Sequence, residues 1–120
     1  GVALKERRVF GPVVVPWSSP ESPTMDVTAA VYDRILALAD EHPDGLLYLV
    51  GFSPLEDERL DRVMDQTGTA VQRLQTLLEE RGVSGERIRT RVLGPLVPTV
   101  EAERSGRRIE VMLIRERNDG

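Results

Sequence analysis

Three groups of polar residues in this chain have types and spacings that could do chemistry. Glu56, Asp57, Glu58 and Asp61 gather four carboxylates within six residues, a set able to hold a hard cation through oxygen. Arg87, Arg89 and Arg91 recur at every second position, which on a strand turns all three to one face. Arg107 and Arg108 add two further guanidiniums, and the whole set suits a carboxylate or phosphate held bidentately. His42 is the single histidine, which leaves no His-rich metal site. Each group also has a structural role, and that role is the expectation. Carboxylates in a first helical turn stabilise the helix dipole, and a histidine beside Pro43 at a helix end does the same at the other pole. Strand arginines pair across strands with acids such as Glu110. No nucleophile elbow, phosphate loop or metal-spaced cluster occurs, so catalysis and a bound cofactor are not expected.

Positioning these residues requires a domain, and the composition supplies one. The chain has 120 residues, 40% hydrophobic and 30% charged, enough for a single ordinary core. There is no cysteine, so neither disulfides nor thiolate metal sites contribute. The net charge of -4 argues against a nucleic-acid partner and against a polybasic membrane surface. No apolar run reaches the roughly 18 residues of a membrane span. The chain opens on Gly1 rather than Met, as expected for a domain taken from a longer protein.

Residues 1–12 show no clean period and read as a lead-in. Val13-Val14-Val15 before Pro16 and Trp17 is a short strand, with Trp17 expected in the core, and residues 18–23 are a loop by composition. Val27, Ala30, Val31, Ile35, Leu38 and Ala39 mark a helix capped by Thr24 or Asp26 and stopped by Pro43. Leu46 to Phe52 is almost wholly apolar, which predicts a strand covered on both faces. Ser53-Pro54-Leu55-Glu56 has the form of a capping box, predicting a second helix from there. Its apolar stripe runs from Leu60 to Leu78, with Gly68 inside it as the mark of a kink or close contact, and Gly82 closes it. Arg87 to Val92 and Arg107 to Ile114 alternate as strands, and residues 115–120 read as a frayed charged tail. The three methionines are scattered gap fillers. The order β-α-β-α-β-β predicts an α+β fold: a two-layer sandwich, with a mixed four-stranded sheet and two helices on one face.

Over residues 13–114 this order resembles the OmpA-like domain, the family of peptidoglycan-associated lipoproteins and MotB-type stator proteins. The stations that carry the resemblance are Leu49-Val50-Gly51-Phe52-Ser53-Pro54, Leu78 to Ser84 with its Gly82-Val83, Gly94-Pro95-Leu96-Val97-Pro98, and Gly106-Arg107-Arg108-Ile109-Glu110-Val111. The resemblance implies a bacterial cell-envelope domain, in the periplasm or at the outer membrane, that binds the diaminopimelate of peptidoglycan. In that family an aspartate takes the ammonium of this zwitterion and an arginine takes its carboxylate. Here Pro54 stands at the aspartate position. The arginine position falls on Ala70 or Thr67, and residues 63–72 contain no basic side chain. Gly106 stands where the family has asparagine.

Losing both charged partners removes the recognition principle. The expectation is therefore a non-catalytic envelope module that keeps the frame for protein contact or self-association, with a degenerate peptidoglycan site. The alternative is residual peptidoglycan binding through a rearranged set: Ser53, Asp57, Arg107 and Arg108. A filled hollow below the strand end at Phe52 favours the first, and a water-lined one with converging charges favours the second.

Overall fold

The computed structural model describes residues 4–18, 24–25, 27–54, 59–96 and 106–119. Along the chain lie β1 (Leu4–Ser18), β2 (Thr24–Met25), α1 (Ala29–Glu41), β3 (Leu46–Phe52), α2 (Leu60–Glu80), β4 (Ile88–Gly94) and β5 (Arg108–Asp119). The sheet order is β2-β1-β5-β3-β4. The four long strands are those expected, and β2 adds two residues at one edge. β3 and β4 run parallel across the α2 crossover, and the other pairs are antiparallel.

One face of the sheet carries Val13, Val15, Trp17, Leu47, Leu49, Ile109, Val111 and Leu113, all buried. Both helices pack there, α1 through Tyr32, Ile35 and Ala39, and α2 through Val63, Ala70, Val71, Leu74 and Leu78. Burial pushes the Tyr32 phenol up, while the Arg81 guanidinium 4.8 Å above its ring pulls it down. No layer of described residues covers the opposite face. There Tyr48 and Phe52 are only half-buried, so the apolar run of β3 does not mean two covered faces.

The strand limits differ from the sequence reading at both ends. The lead-in is strand from Leu4, and the charged tail is the end of β5. β3 stops pairing at Ile114, and beyond it residues 4–8 and 115–119 face each other as a two-stranded ribbon. Its residues are mostly charged at successive positions and carry no apolar alternation, so its sequence hides it. Arg7 and Glu116 pair across it at 2.8 Å.

Two helix starts also move. Thr28 caps α1 by accepting from the Val31 N–H at 3.3 Å; Thr24 lies in β2, and Asp26 is outside the described residues. α2 begins at Leu60 after an extended Arg59, not at the capping box. Ser53 instead continues the sheet, its N–H donating to the Gly94 carbonyl at 3.1 Å. The end of α2 is as expected. Gly82, at φ +98°, sends its N–H to Glu79, and Val83 reaches back to Leu78, which satisfies the last carbonyls.

Arg87 belongs to the end of α1 rather than to a strand face. Its guanidinium donates to the carbonyls of Ala39 (3.0 Å), His42 (2.8 Å) and Gly45 (3.1 Å). A cation on the last free carbonyls of a helix both fills their hydrogen bonds and opposes the dipole. His42 closes the same helix and stacks on Phe10 at 4.1 Å, so it is packed rather than simply solvated. Arg87→Ala is expected to lower stability by about 2 kcal/mol. Urea unfolding would show this as an earlier midpoint at an unchanged slope.

Candidate functional site

Of the residues singled out for binding, Ser53, Arg107 and Arg108 lie at one end of the sheet, where β3 finishes. Antiparallel pairing sets Phe52 opposite Arg108, and Pro16 of β1 lies opposite Arg108 on its other side. Arg108 and Glu110 stand two residues apart on the outward face of β5, and both are buried, at 7% and 5% exposure. Arg108 Nε donates to Glu110 Oε2 at 3.0 Å, and its Nη1 donates to the Gly106 carbonyl at 3.3 Å. The guanidinium plane sits 4.3 Å above the Phe52 ring. Its charge, two of its donors and one of its faces are thus engaged within the fold. The β4 arginines are not the described partners of Glu110: β3 lies between β4 and β5, and Arg108 reaches that carboxylate along its own strand. The signal was present in the sequence as opposite charges at i and i+2 of an alternating strand.

Arg107 and Ser53 make contacts of their own beside this pair. Arg107 faces the helix side, its guanidinium 5.8 Å from the ring of Trp17, which is buried as expected. Ser53 is buried, and its hydroxyl donates to the Pro54 carbonyl at 3.4 Å. Asp57 lies outside the described residues, with Glu56 and Glu58; Asp61 is exposed and pairs with Arg59 at 2.9 Å. Of the arginine stripe, Arg87 serves α1, Arg89 donates to the Glu86 and Ile88 carbonyls, and Arg91 is exposed.

The space beneath the end of β3 is occupied by α2. A Cβ placed on Gly51 would lie 2.6 Å from a Val71 methyl and 2.7 Å from the Thr67 methyl. One placed on Gly94 would meet the Met64 sulfur at 2.5 Å. Thr67 and Ala70, the two places where the resemblance would put an arginine, are fully buried. The Thr67 hydroxyl turns back on its own helix, donating to the Val63 carbonyl at 2.7 Å. Pro54, at the aspartate position, offers no charge. A hollow of about 320 Å³ does exist, at the opposite end of the sheet, lined by Asp44, Leu46, Tyr48, Ile114 and Glu116.

A mixed sheet of this strand order with both helices on one face is the OmpA-like fold. Solved structures bear this out. The chain is similar to the OmpA-like domain of FopA1 from Francisella tularensis subsp. tularensis SCHU S4, at a TM-score of 0.60 and 12% identity over 78% of this chain and 68% of that one. It is also similar to the periplasmic domain of Helicobacter pylori MotB, at a TM-score of 0.54 and 16% identity over 82% of this chain and 69% of that one. No family model matches the sequence, and no curated protein does.

Removing one member of the buried pair leaves a charge without compensation, which typically costs about 3–5 kcal/mol. Glu110→Leu and Arg108→Met are each expected to destabilise by that order. Arg108→Met combined with Glu110→Leu should cost far less than the two single changes together. Chemical denaturation of the four species checks this as a double-mutant cycle.

Proposed function

We propose that this domain is a non-catalytic module of the bacterial cell envelope, acting outside the cytoplasm as a structural or protein-contact element. It keeps the OmpA-like frame without the diaminopimelate grip. The observation that carries this reading is the packing of Thr67 and Ala70, fully buried against β3 where a ligand-binding arginine would have to stand. A guanidinium there would be desolvated among methyl groups, and no carboxylate at Pro54 would face it. The engagement of Arg108 by Glu110 points the same way, since a rearranged site would first have to break that pair. The similarity to a periplasmic MotB domain and to a FopA1 OmpA-like domain supports an extracytoplasmic, envelope setting, in the periplasm or at the outer membrane. Its partner would be another envelope protein or a second copy of the chain.

Calorimetric titration with purified wall fragments containing diaminopimelate tests the reading. The expected result is no saturable heat. Tight saturable binding that Arg107→Glu or Arg108→Glu abolishes would overturn it, in favour of a peptidoglycan site rebuilt from Ser53, Asp57, Arg107 and Arg108.

A further inference from the structure

β4 is an edge strand with β3 as its one partner among the described residues. In a strand, the N–H and C=O of one residue point to the same side, and successive residues alternate sides. The Ile88 N–H bonds the Gly85 carbonyl, and the Ile88 carbonyl accepts from Arg89 Nη1 at 3.2 Å. Both groups of Ile88 therefore point away from β3. By alternation those of Thr90 and Val92 do the same. The loop before β4 and the Arg89 side chain close the edge at Ile88, and among the described residues none closes it at Thr90 or Val92.

The two faces beside this open stretch differ. On the outward face stand Arg89 and Arg91, both exposed, in a protein whose net charge is -4. On the helix face, the Val92 side chain lies beneath Gly68 of α2. A helix-interior glycine costs on the order of 1 kcal/mol relative to alanine. Here α2 continues unbroken through it, and a methyl placed on Gly68 would find Val92 as its nearest neighbour, at an ordinary 3.8 Å. Neither a kink nor a tight contact requires the glycine. What it does is leave a notch between α2 and the open edge.

We infer that the open edge of β4 takes an acidic extended peptide as an additional strand. Its backbone pairs with Thr90 and Val92, its alternate Asp or Glu side chains lie over Arg89 and Arg91, and a small apolar side chain between them enters the notch at Gly68. Main-chain pairing supplies affinity in this mode and side chains on the two faces supply choice. Like-charged edges on a partner are repelled, so the arginines select among strands as well as bind them. The inference rests on the reading of the domain as an interaction module and gives the partner a chemistry.

The test is an amide NMR titration of the whole chain with a synthetic peptide alternating Glu and Val. Saturable shifts centred on Thr90 and Val92 are expected, with binding weakened about fivefold by Arg91→Glu, the size of one exposed charge contact reversed. Gly68→Leu should weaken binding similarly while leaving the thermal midpoint no lower, since it fills the notch with a better helix former. Equal binding of a Lys-for-Glu peptide, shifts centred elsewhere, or no binding would overturn the inference. So would the same amides shifting with protein concentration alone, which would assign the edge to a second copy. The wall-fragment titration is independent of these outcomes. A chain that binds neither ligand loses this inference and keeps the reading above, whereas one that binds wall fragments through Arg107 loses that reading whatever the peptide does.

Discussion

Helix α2 rests on β3 at the one point where that strand has no side chain to offer. Gly51 lets the methyls of Thr67 and Val71 come to where a Cβ would stand, so strand and helix approach as closely as backbone permits. That approach fixes much else. It seals the end of β3 and places Met64 against Gly94, so β4 is held in the same tight layer. It also restricts positions 67 and 71 to small or β-branched side chains, since protein interiors tolerate little surplus volume. The one polar residue in the contact, Thr67, brings its own solution by bonding the carbonyl one turn back.

Several guanidiniums have been drawn into architecture. Arg87 joins the end of α1 to the start of β4 through three carbonyls. Arg108 lies between Phe52 and Glu110 and binds the Gly106 carbonyl as well. Arg81 covers the ring of Tyr32, and Arg107 that of Trp17. A planar cation with five donors can stack and hydrogen-bond at once, which lysine cannot, and the chain has a single lysine. The arginine-rich stretches that resemble an anion-binding surface in the sequence are, for the most part, fasteners between elements. A buried pair such as Arg108 with Glu110 adds little net stability over an apolar pair of equal size. It does penalise any arrangement that separates the two charges.

The sequence reveals the parts of this fold governed by one-dimensional periodicity. The stripe of α2, the alternation around Ile109, Val111 and Leu113, and the Gly82 terminus all have local causes and appear where expected. It conceals the parts decided by distant neighbours. Nothing near Leu4 announces that residues 115–119 will pair with it, since charged residues at successive positions leave no apolar rhythm. Ser53-Pro54-Leu55-Glu56 has the composition of a cap, yet the Ser53 N–H is taken by Gly94 from another strand, and the helix starts later. Arg87 alternates with Arg89 and Arg91, but a nearby helix end claims it. The candidate site was legible mainly as a loss, in the missing charges at Pro54 and across residues 63–72. That the gap is filled by packing, and not left as an empty pocket, emerges only in three dimensions.

The outward face of the sheet shows why the edge matters more than the face for contact with other molecules. The apolar outward residues of β3 would make an adhesive patch if they stood bare. Instead Phe52 lies beneath the Arg108 guanidinium, and Val50, between the rows of Arg91 and Glu110, is only 7% exposed. Long charged side chains laid across their neighbours thus cover much of the centre without a second layer of helices. Covering a face in this way is cheap, because apolar surface needs only contact. Backbone groups on an edge are different, since each demands a directed hydrogen bond that a side chain seldom supplies. Arg89 supplies one at Ile88, and no described residue does so at Thr90 or Val92. With α2 packed under the end of β3 and charged side chains laid over the middle of the outward face, the backbone groups of this edge are what the described residues leave without a directed partner.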